Sequence, residues 1–505
     1  VTRRLARLPE WLWLLAVTML AAVLRLWNLG HPRALVFDET YYVKDAWTLL
    51  HLGYEGSWPE GADEGFVAGN VDTYSDEASF VVHPPLGKWI IALGLSAFGA
   101  EDPFGWRIGM AVVGVLAVAV LWLVARILFR SPLLATIAGG LMAVDGHAIV
   151  MSRTALLDNA LMLFTLLGFL FVLLDRRQSR GRLERWMLER EKRGLSLDWG
   201  PALWARPWLV AAGLAFGLAT AVKWSGLYFL AIFAVYTLIV DALARRRAGI
   251  PFWFSGTALK QAPVSFLLTV PIAAIAYAAS WAGWFRTGGG YYRQWAEGNP
   301  WEGVLSWVPL DWQSWWHYQV SAYNFHVDLG TEHGWASPAW QWLPMLRPTA
   351  FYRVYADEGE NGCSVDRCEQ FITTLPNPLI WYLAVVALGL LVWRLLRHPR
   401  SWRAGLILVG VVAGWAPWLL YPERTMFQFY AIAFLPYMVL ALTYALGVVM
   451  GRPWEGEWRR ATGIRVVIVV LALVVLLSAY FYPVWTGIML PEPFIRSHYW
   501  LPGWR

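Results

Sequence analysis

Charge is what this chain has least of. Asp, Glu, Lys and Arg make up 15% of its 505 residues, where a soluble domain carries about 25%. Hydrophobic residues make up 58%. That balance excludes a soluble globular domain and leaves a polytopic membrane protein. Cysteine is nearly absent: Cys363 and Cys368 are the only two. There is thus no disulfide scaffold and no paired-Cys zinc site. The chain also lacks a Gly-rich phosphate loop, which argues against nucleotide hydrolysis, and an HExxH zinc motif. It has no internal repeat, no low-complexity tract and no Asn-x-Ser/Thr sequon, the last agreeing with a bacterial origin.

Long apolar runs are what is there. They fall at about 11–29, 106–128, 132–150, 155–174, 207–222, 225–243, 264–284, 379–397, 402–420, 427–449 and 465–485. A full span needs about 20 residues, so about eleven spans are expected, several with approximate ends. No small-residue cleavage site follows the first run, which is therefore read as a span rather than a signal peptide. Residues 86–100 are apolar but too short, and suit an interfacial or re-entrant segment. The 35 Trp favour the headgroup region. Net charge is +6, read as loop bias and not as a nucleic-acid surface. Arg and Lys crowd into 175–206, 245–247, 394–403 and 452–465, with Arg3, Arg4 and Arg7 at the start. Such excess marks cytoplasmic loops. All these clusters share one side only if 86–100 stays outside. The N-terminus is then inside and the C-terminus outside. The exterior holds a first loop at 30–105, a large loop at 285–378 and short turns near 151–154, 223–224 and 421–426. Three parts follow: a transmembrane module over 1–284, the large loop over 285–378, and C-terminal helices with an exterior tail over 379–505.

Asp38 and Glu39 sit just beyond the first span, in Val36-Phe37-Asp38-Glu39-Thr40-Tyr41-Tyr42. The spacing of Tyr42, Val43, Ala46, Trp47, Leu49 and Leu50 predicts an interfacial helix, with Lys44, Asp45 and Thr48 on its polar side. An acidic pair at a helix start can simply complement the helix dipole. It can also be two solvated charges, or an acid–base pair at the membrane surface. Other ionisable residues mark exterior span ends: Arg107, Arg153, Asp158, Lys223, Glu423 and Arg424. Singly, each could be a snorkelling anchor. Together, carboxylates and cations facing one cavity suit an anionic substrate and a proton acceptor. His317, His326 and His333 lie among Trp and Tyr of the large loop, where packing or hydrogen bonding to sugar or peptide is favoured over a metal site. Cys363 and Cys368, close together on an oxidising side, are expected to form a disulfide, two free thiols being the alternative.

Read in order, Phe37-Asp38-Glu39, His83-Pro84-Pro85-Leu86-Gly87-Lys88, Gly105-Trp106-Arg107, Ser152-Arg153-Thr154-Ala155-Leu156-Leu157-Asp158 and Val222-Lys223-Trp224-Ser225-Gly226 resemble the protein O-mannosyltransferases. Trp500-Leu501-Pro502-Gly503-Trp504-Arg505 resembles the C-terminus of actinobacterial members. The resemblance covers almost the whole chain. Eukaryotic members carry a β-trefoil domain in the large loop; residues 285–378 are too few for it and are expected to form short helices. The resemblance implies an all-α polytopic GT-C glycosyltransferase fold. It also implies inverting transfer of mannose from polyprenyl phosphate mannose to Ser or Thr of exported, unfolded polypeptides, with the secretion translocon a candidate neighbour. Asp38 is then the candidate base, with Glu39 beside it positioning acceptor or sugar. Arg107, Lys223, Arg153 and Arg424 are candidates for the donor phosphate, and His83, Lys88, Asp158 and His333 for sugar or acceptor. No cofactor is required, although Asp38 and Glu39 could ligate a divalent ion. The other readings are a GT-C transferase with a glycan or lipid acceptor, and a transporter or lipid flippase. The expected location is the bacterial plasma membrane, with the active site outside.

Overall fold

The computed structural model describes residues 9–452 and 454–505; Arg3, Arg4 and Arg7 lie outside the described residues. Each apolar run lies on helix. Among the described residues, seven helices are long and apolar enough to cross a membrane: Pro103–Phe129, Asp158–Lys192, Gly226–Arg247, Trp253–Ser280, Pro378–Arg397, Trp402–Leu420 and Glu457–Thr486. Pro132–Val144 and Gly146–Arg153 make an eighth if the pair, bent by 58°, counts as one span. The expectation of about eleven is therefore not met by length. Pro207–Val222 and Leu435–Met450 have 16 residues each and Glu10–Leu26 has 17. At 1.5 Å per residue these reach only ~24–26 Å, short of the ~30 Å hydrocarbon core.

The break in the bent pair has a local cause. Asp145 leaves helical geometry, and its carboxylate accepts from the backbone N–H of Ala148 at 3.1 Å and of Asn377 at 3.1 Å. The Asp-Gly dipeptide at 145–146 was the available signal. Residues 151–153, expected in a turn, are helical. Asp158–Lys192 continues through most of the basic segment as one helix of 35 residues.

The first loop forms the helix Glu39–Leu52, packed on Leu86–Phe98. Its apolar face is the one read from the sequence, with one exception. Thr48 is buried because its hydroxyl accepts from the Gly56 N–H at 3.0 Å. The large loop holds a 19-residue helix, Leu310–Asp328, and a hairpin that the all-α expectation left out. Strand Ala350–Asp357 pairs antiparallel with Arg367–Thr373, and Leu490–Pro491 of the C-terminal tail adds to the second strand. Cys363 and Cys368 are joined as a disulfide across the hairpin's end. Loop and tail are tied to the first loop. Tyr318 donates its hydroxyl to the Val81 carbonyl at 2.7 Å, and the Gly487 carbonyl lies 2.8 Å from His31 Nε2 of the first loop and accepts from Gln370 at 2.7 Å.

Candidate active site

Three chain breaks deliver charge to one place. Asp158 is the first residue of its helix and Lys223 follows the last residue of Pro207–Val222. Each charge thus sits at the helix end that favours it. Gly226 permits the tight hairpin between the Lys223 helix and the next: a Cβ there would stand 2.4 Å from the Thr220 nitrogen. Lys223 Nζ lies 2.6 Å from Asp158 Oδ2 and 5.0 Å from the centre of the Tyr430 ring.

These residues line a cavity of about 220 Å³ with His83, Trp224, His326 and Arg424. Its far wall is apolar: Leu161, Leu227, Phe229, Ala413 and Trp418. Arg424 donates from Nε to the His326 carbonyl at 3.0 Å and lies 3.3 Å, through Nη2, from His326 Nδ1. His326 Nε2 sits 3.1 Å from the Val82 carbonyl. Nε2 therefore carries the proton and Nδ1 accepts from the arginine, so the ring is neutral. Burial, then Arg424, lowers its pKa to about 4. His83 stacks on it at 5.2 Å, and burial followed by Lys223 holds His83 well below the ordinary histidine range. Arg424 Nη1 and His83 Nδ1 are buried without a hydrogen-bond partner. Two unspent polar groups at one cavity are what an anionic, oxygen-rich ligand would satisfy.

Asp38 is half-buried and close enough to Lys223 and Asp158 for their charges to act on it, although it is not among the residues that line the cavity. It occupies the N-cap position of Glu39–Leu52, yet its side chain makes no capping hydrogen bond. No backbone N–H of the helix takes up its carboxylate, which faces the hydroxyl of Tyr42 from the same helix. Burial raises its pKa to about 6; Lys223 works against that rise and Asp158 adds to it. Its orientation rests on Phe37, which adopts φ +50°. That conformation costs about 1–3 kcal/mol for a non-glycine residue. It is held by stacking on Phe351 at 4.9 Å and by edge contacts with Phe427 and Phe429 at 5.6 Å.

Other expected site residues are placed elsewhere. Glu39 is fully buried. It takes a bidentate contact from Arg107 at 2.9 Å and accepts from the N–H groups of Val36 and Ala155. Arg107 spends its remaining donors on the carbonyls of Leu29, Pro32 and Ala34. Neither side chain is open to a ligand, so both are structural. Arg153 donates to the carbonyls of Arg25, Trp27 and Asn28, which end the first helix without helical partners. Lys88 is buried in an ion pair with Glu55, with Asp45 at 3.8 Å. His333 is exposed and packs edge-on against Phe37 and Phe427, outside the cavity lining. The donor set does not fit a divalent ion. Glu39 is saturated, Asp158 is paired with Lys223, and a hard cation needs several free oxygens. Among the described residues, no group of three or more His, Cys, Asp or Glu is placed to hold a metal.

The cavity also uses residues not singled out as ligands from sequence: Trp224, Tyr228, Tyr323, Trp418 and Tyr430. Tyr323, His326 and Val327 all reach it from Leu310–Asp328. Their i, i+3, i+4 spacing was the signal.

A helical bundle with a loop carboxylate near a cationic, apolar-walled cavity fits a membrane-embedded glycosyltransferase. The fold is similar to that of the Saccharomyces cerevisiae protein O-mannosyltransferase Pmt1-Pmt2 complex bound to the sugar donor. The TM-score is 0.72 at 15% identity, covering 99% of this chain and 93% of that one. Residues 82–188 match the family model for dolichyl-phosphate-mannose-protein mannosyltransferase, and residues 311–504 match that for the C-terminal four-transmembrane region of protein O-mannosyltransferase. The polyprenol-phosphate-mannose–protein mannosyltransferase of Mycolicibacterium smegmatis strain MKD8 is 36% identical, over 99% of this chain and 94% of its own. That of Corynebacterium glutamicum is 32% identical over the same shares. The chain belongs to the polyprenol-phosphate-mannose–protein mannosyltransferase family.

Proposed function

We propose that this protein transfers mannose, with inversion, from polyprenyl phosphate mannose to Ser or Thr hydroxyls of unfolded exported polypeptides. The transfer takes place at the outer face of a bacterial plasma membrane, with the acceptor met near the secretion translocon. The observation that carries the reading is Asp38. It is an uncapped, half-buried carboxylate with its pKa raised to about 6, beside a cavity holding Lys223 and Arg424. A hydroxyl is a weak nucleophile until its proton is removed. Asp38 accepts that proton as the acceptor oxygen forms its bond to C1 of mannose. The C1–O bond to phosphate breaks on the opposite side, and its electron pair leaves on the polyprenyl phosphate. Fixed positive charge is what that step needs. Lys223 supplies a point charge, and Arg424 has an unpartnered Nη1. The apolar wall suits the first isoprene units. His83 and Asp158 border the same space and hydrogen-bond the sugar. The mechanism uses no cofactor.

The test is transfer of radiolabel from polyprenyl phosphate mannose to a Ser/Thr peptide by the purified, reconstituted protein, with a chelator present in one arm. Label in the peptide as an α-mannoside is expected in both arms. Label only in a glycan or lipid would replace this reading with another GT-C transferase. Lipid movement across the bilayer without transfer would replace it with a flippase.

A further inference from the structure

A second cavity, of about 820 Å³, lies among the other ends of the same helices. Asp158 and Arg176 share one helix, and the rise between them is ~27 Å. This cavity is therefore remote from the site above. Its walls are aliphatic, including Leu183, Met187, Ile239 and Val409. Ile239 and Val412, at 52% and 45% exposed, leave an apolar mouth on the outside of the bundle. Its rim is basic: Arg176, Arg180, Arg247 and Arg400, against Glu184 and Glu191. Arg180 is paired with Glu184 at 3.4 Å. Arg176 has no carboxylate within ion-pair distance among the described residues. Its guanidinium lies 4.7 Å from the centre of the Trp402 ring and 3.3 Å from the Tyr236 hydroxyl. It is held in place while its charge stays uncompensated. The deeper Asp241 is taken by Arg206.

We propose that this cavity binds an anionic glycerophospholipid, with its phosphodiester at Arg176 and Arg400 and its acyl chains along Ile239, Val409 and Val412. An apolar pocket that opens sideways and carries surplus arginine at its rim matches a lipid better than a soluble anion. Basic pockets between membrane helices favour anionic headgroups in this way. The size suits a headgroup with the first methylenes of two chains. The singly charged diester matches a rim that carries two more basic than acidic groups.

The probe is phosphatidylglycerol, titrated against phosphatidylcholine into the full-length detergent-solubilised protein and read by native mass spectrometry. The wild type should retain phosphatidylglycerol preferentially. The double variant Arg176→Gln, Arg400→Gln should lose about tenfold or more of that retention. Met187→Trp, which fills the cavity while keeping the arginines, should lose it too. Arg459→Gln, in a separate basic cluster, should not. Equal retention of the two lipids by the wild type would overturn the proposal, as would undiminished retention by both cavity variants. Displacement of phosphatidylglycerol by polyprenyl phosphate at equal concentration would reassign the occupant and overturn it as well.

Discussion

Lys223 and Asp158 meet at 2.6 Å from opposite kinds of helix end, both buried, in the wall of the cavity that also carries Arg424. The pair makes the lysine's charge tolerable before a phosphate arrives. It also complicates the obvious experiment. Lys223→Ala leaves a buried carboxylate without its cation, which typically costs about 3–5 kcal/mol. Loss of activity in that variant alone would therefore say little. Lys223→Ala combined with Asp158→Ala should recover most of the thermal stability and still bind the lipid-linked donor at least about tenfold more weakly, as expected for a lost charge-assisted contact to the phosphate together with the Asp158 contact to the sugar. Donor affinity that returns with stability would remove Lys223 from the phosphate site.

Asp38 offers a sharper test. Asp38→Asn should lower turnover by on the order of 10²–10⁴ without loss of folded protein. In the wild type, the acid limb of kcat/KM, which reports the free enzyme, should have a midpoint near pH 6, the value to which burial raises this carboxyl. The stability effect has the opposite sign. A carboxyl whose pKa rises from 3.8 to about 6 on folding favours the folded state when protonated. Its contribution is complete below pH 3.8 and is lost as pH rises through 6. Asp38→Asn stays neutral throughout, so its melting temperature relative to wild type should increase between pH 4 and pH 7. A gap that is flat or narrows over that range would mean the carboxyl is not desolvated.

How far the sequence reached is seen by comparing Asp38 with Glu39. Adjacent in the chain, they looked alike as exterior carboxylates. The fold leaves one near Lys223 and Asp158 and seals the other against Arg107, after a left-handed Phe37 that no periodicity reveals. Arg107 and Arg153 were legible as costly charges at span ends. Their partners were not, because most are backbone carbonyls of the segment 25–34, brought in by tertiary packing. Lys223 and Arg424 were legible because each sits in a short polar break between long apolar runs, and Asp158 because it is a charge near the start of one. The hairpin at 350–373 was missed although Phe351-Tyr352-Arg353-Val354-Tyr355 carries β-branched and aromatic residues, because the large loop was read as a whole as short helices.

The Glu39–Arg107 pair gives a contrast with Asp38. Glu39→Ala or Arg107→Ala strips one partner from a pair exposed by no more than 1%, a change that typically costs about 3–5 kcal/mol. Activity per cell should fall because folded protein falls, as measured by fluorescence-detected size exclusion. Material that survives in monodisperse form should keep a near-normal donor KM. A folded variant with a severely raised KM would return one of these residues to the site.

The orientation of the helices can be tested at the two loops that differ most in charge. Cysteine introduced at Arg185 should be shielded from a membrane-impermeant maleimide in intact cells, because basic loops stay inside. Cysteine introduced at Trp307, which is 76% exposed in the large loop, should react. Both labellings are done in the Cys363→Ser, Cys368→Ser background. Reaction at position 185 would invert the topology.

The disulfide itself should matter little to catalysis. Cys363 and Cys368 are five residues apart and close the end of the hairpin, with both sulfurs buried against Ala356 and Met489. A loop this short should gain less than the ~3 kcal/mol associated with 15 residues. The hairpin is also held by its own backbone ladder from Ala350 to Asp357 and by Leu490–Pro491. The double Cys→Ser variant should therefore fold and transfer mannose from the lipid donor at close to the wild-type rate. Any deficit should appear in the KM for the acceptor peptide, because the hairpin leads through Phe351 to Phe37 and so to the residue before Asp38. Mass spectrometry of protein isolated without reductant should find both thiols oxidised. Loss of kcat in a folded double variant would mean that the strand register sets the position of Asp38 as well as that of the acceptor.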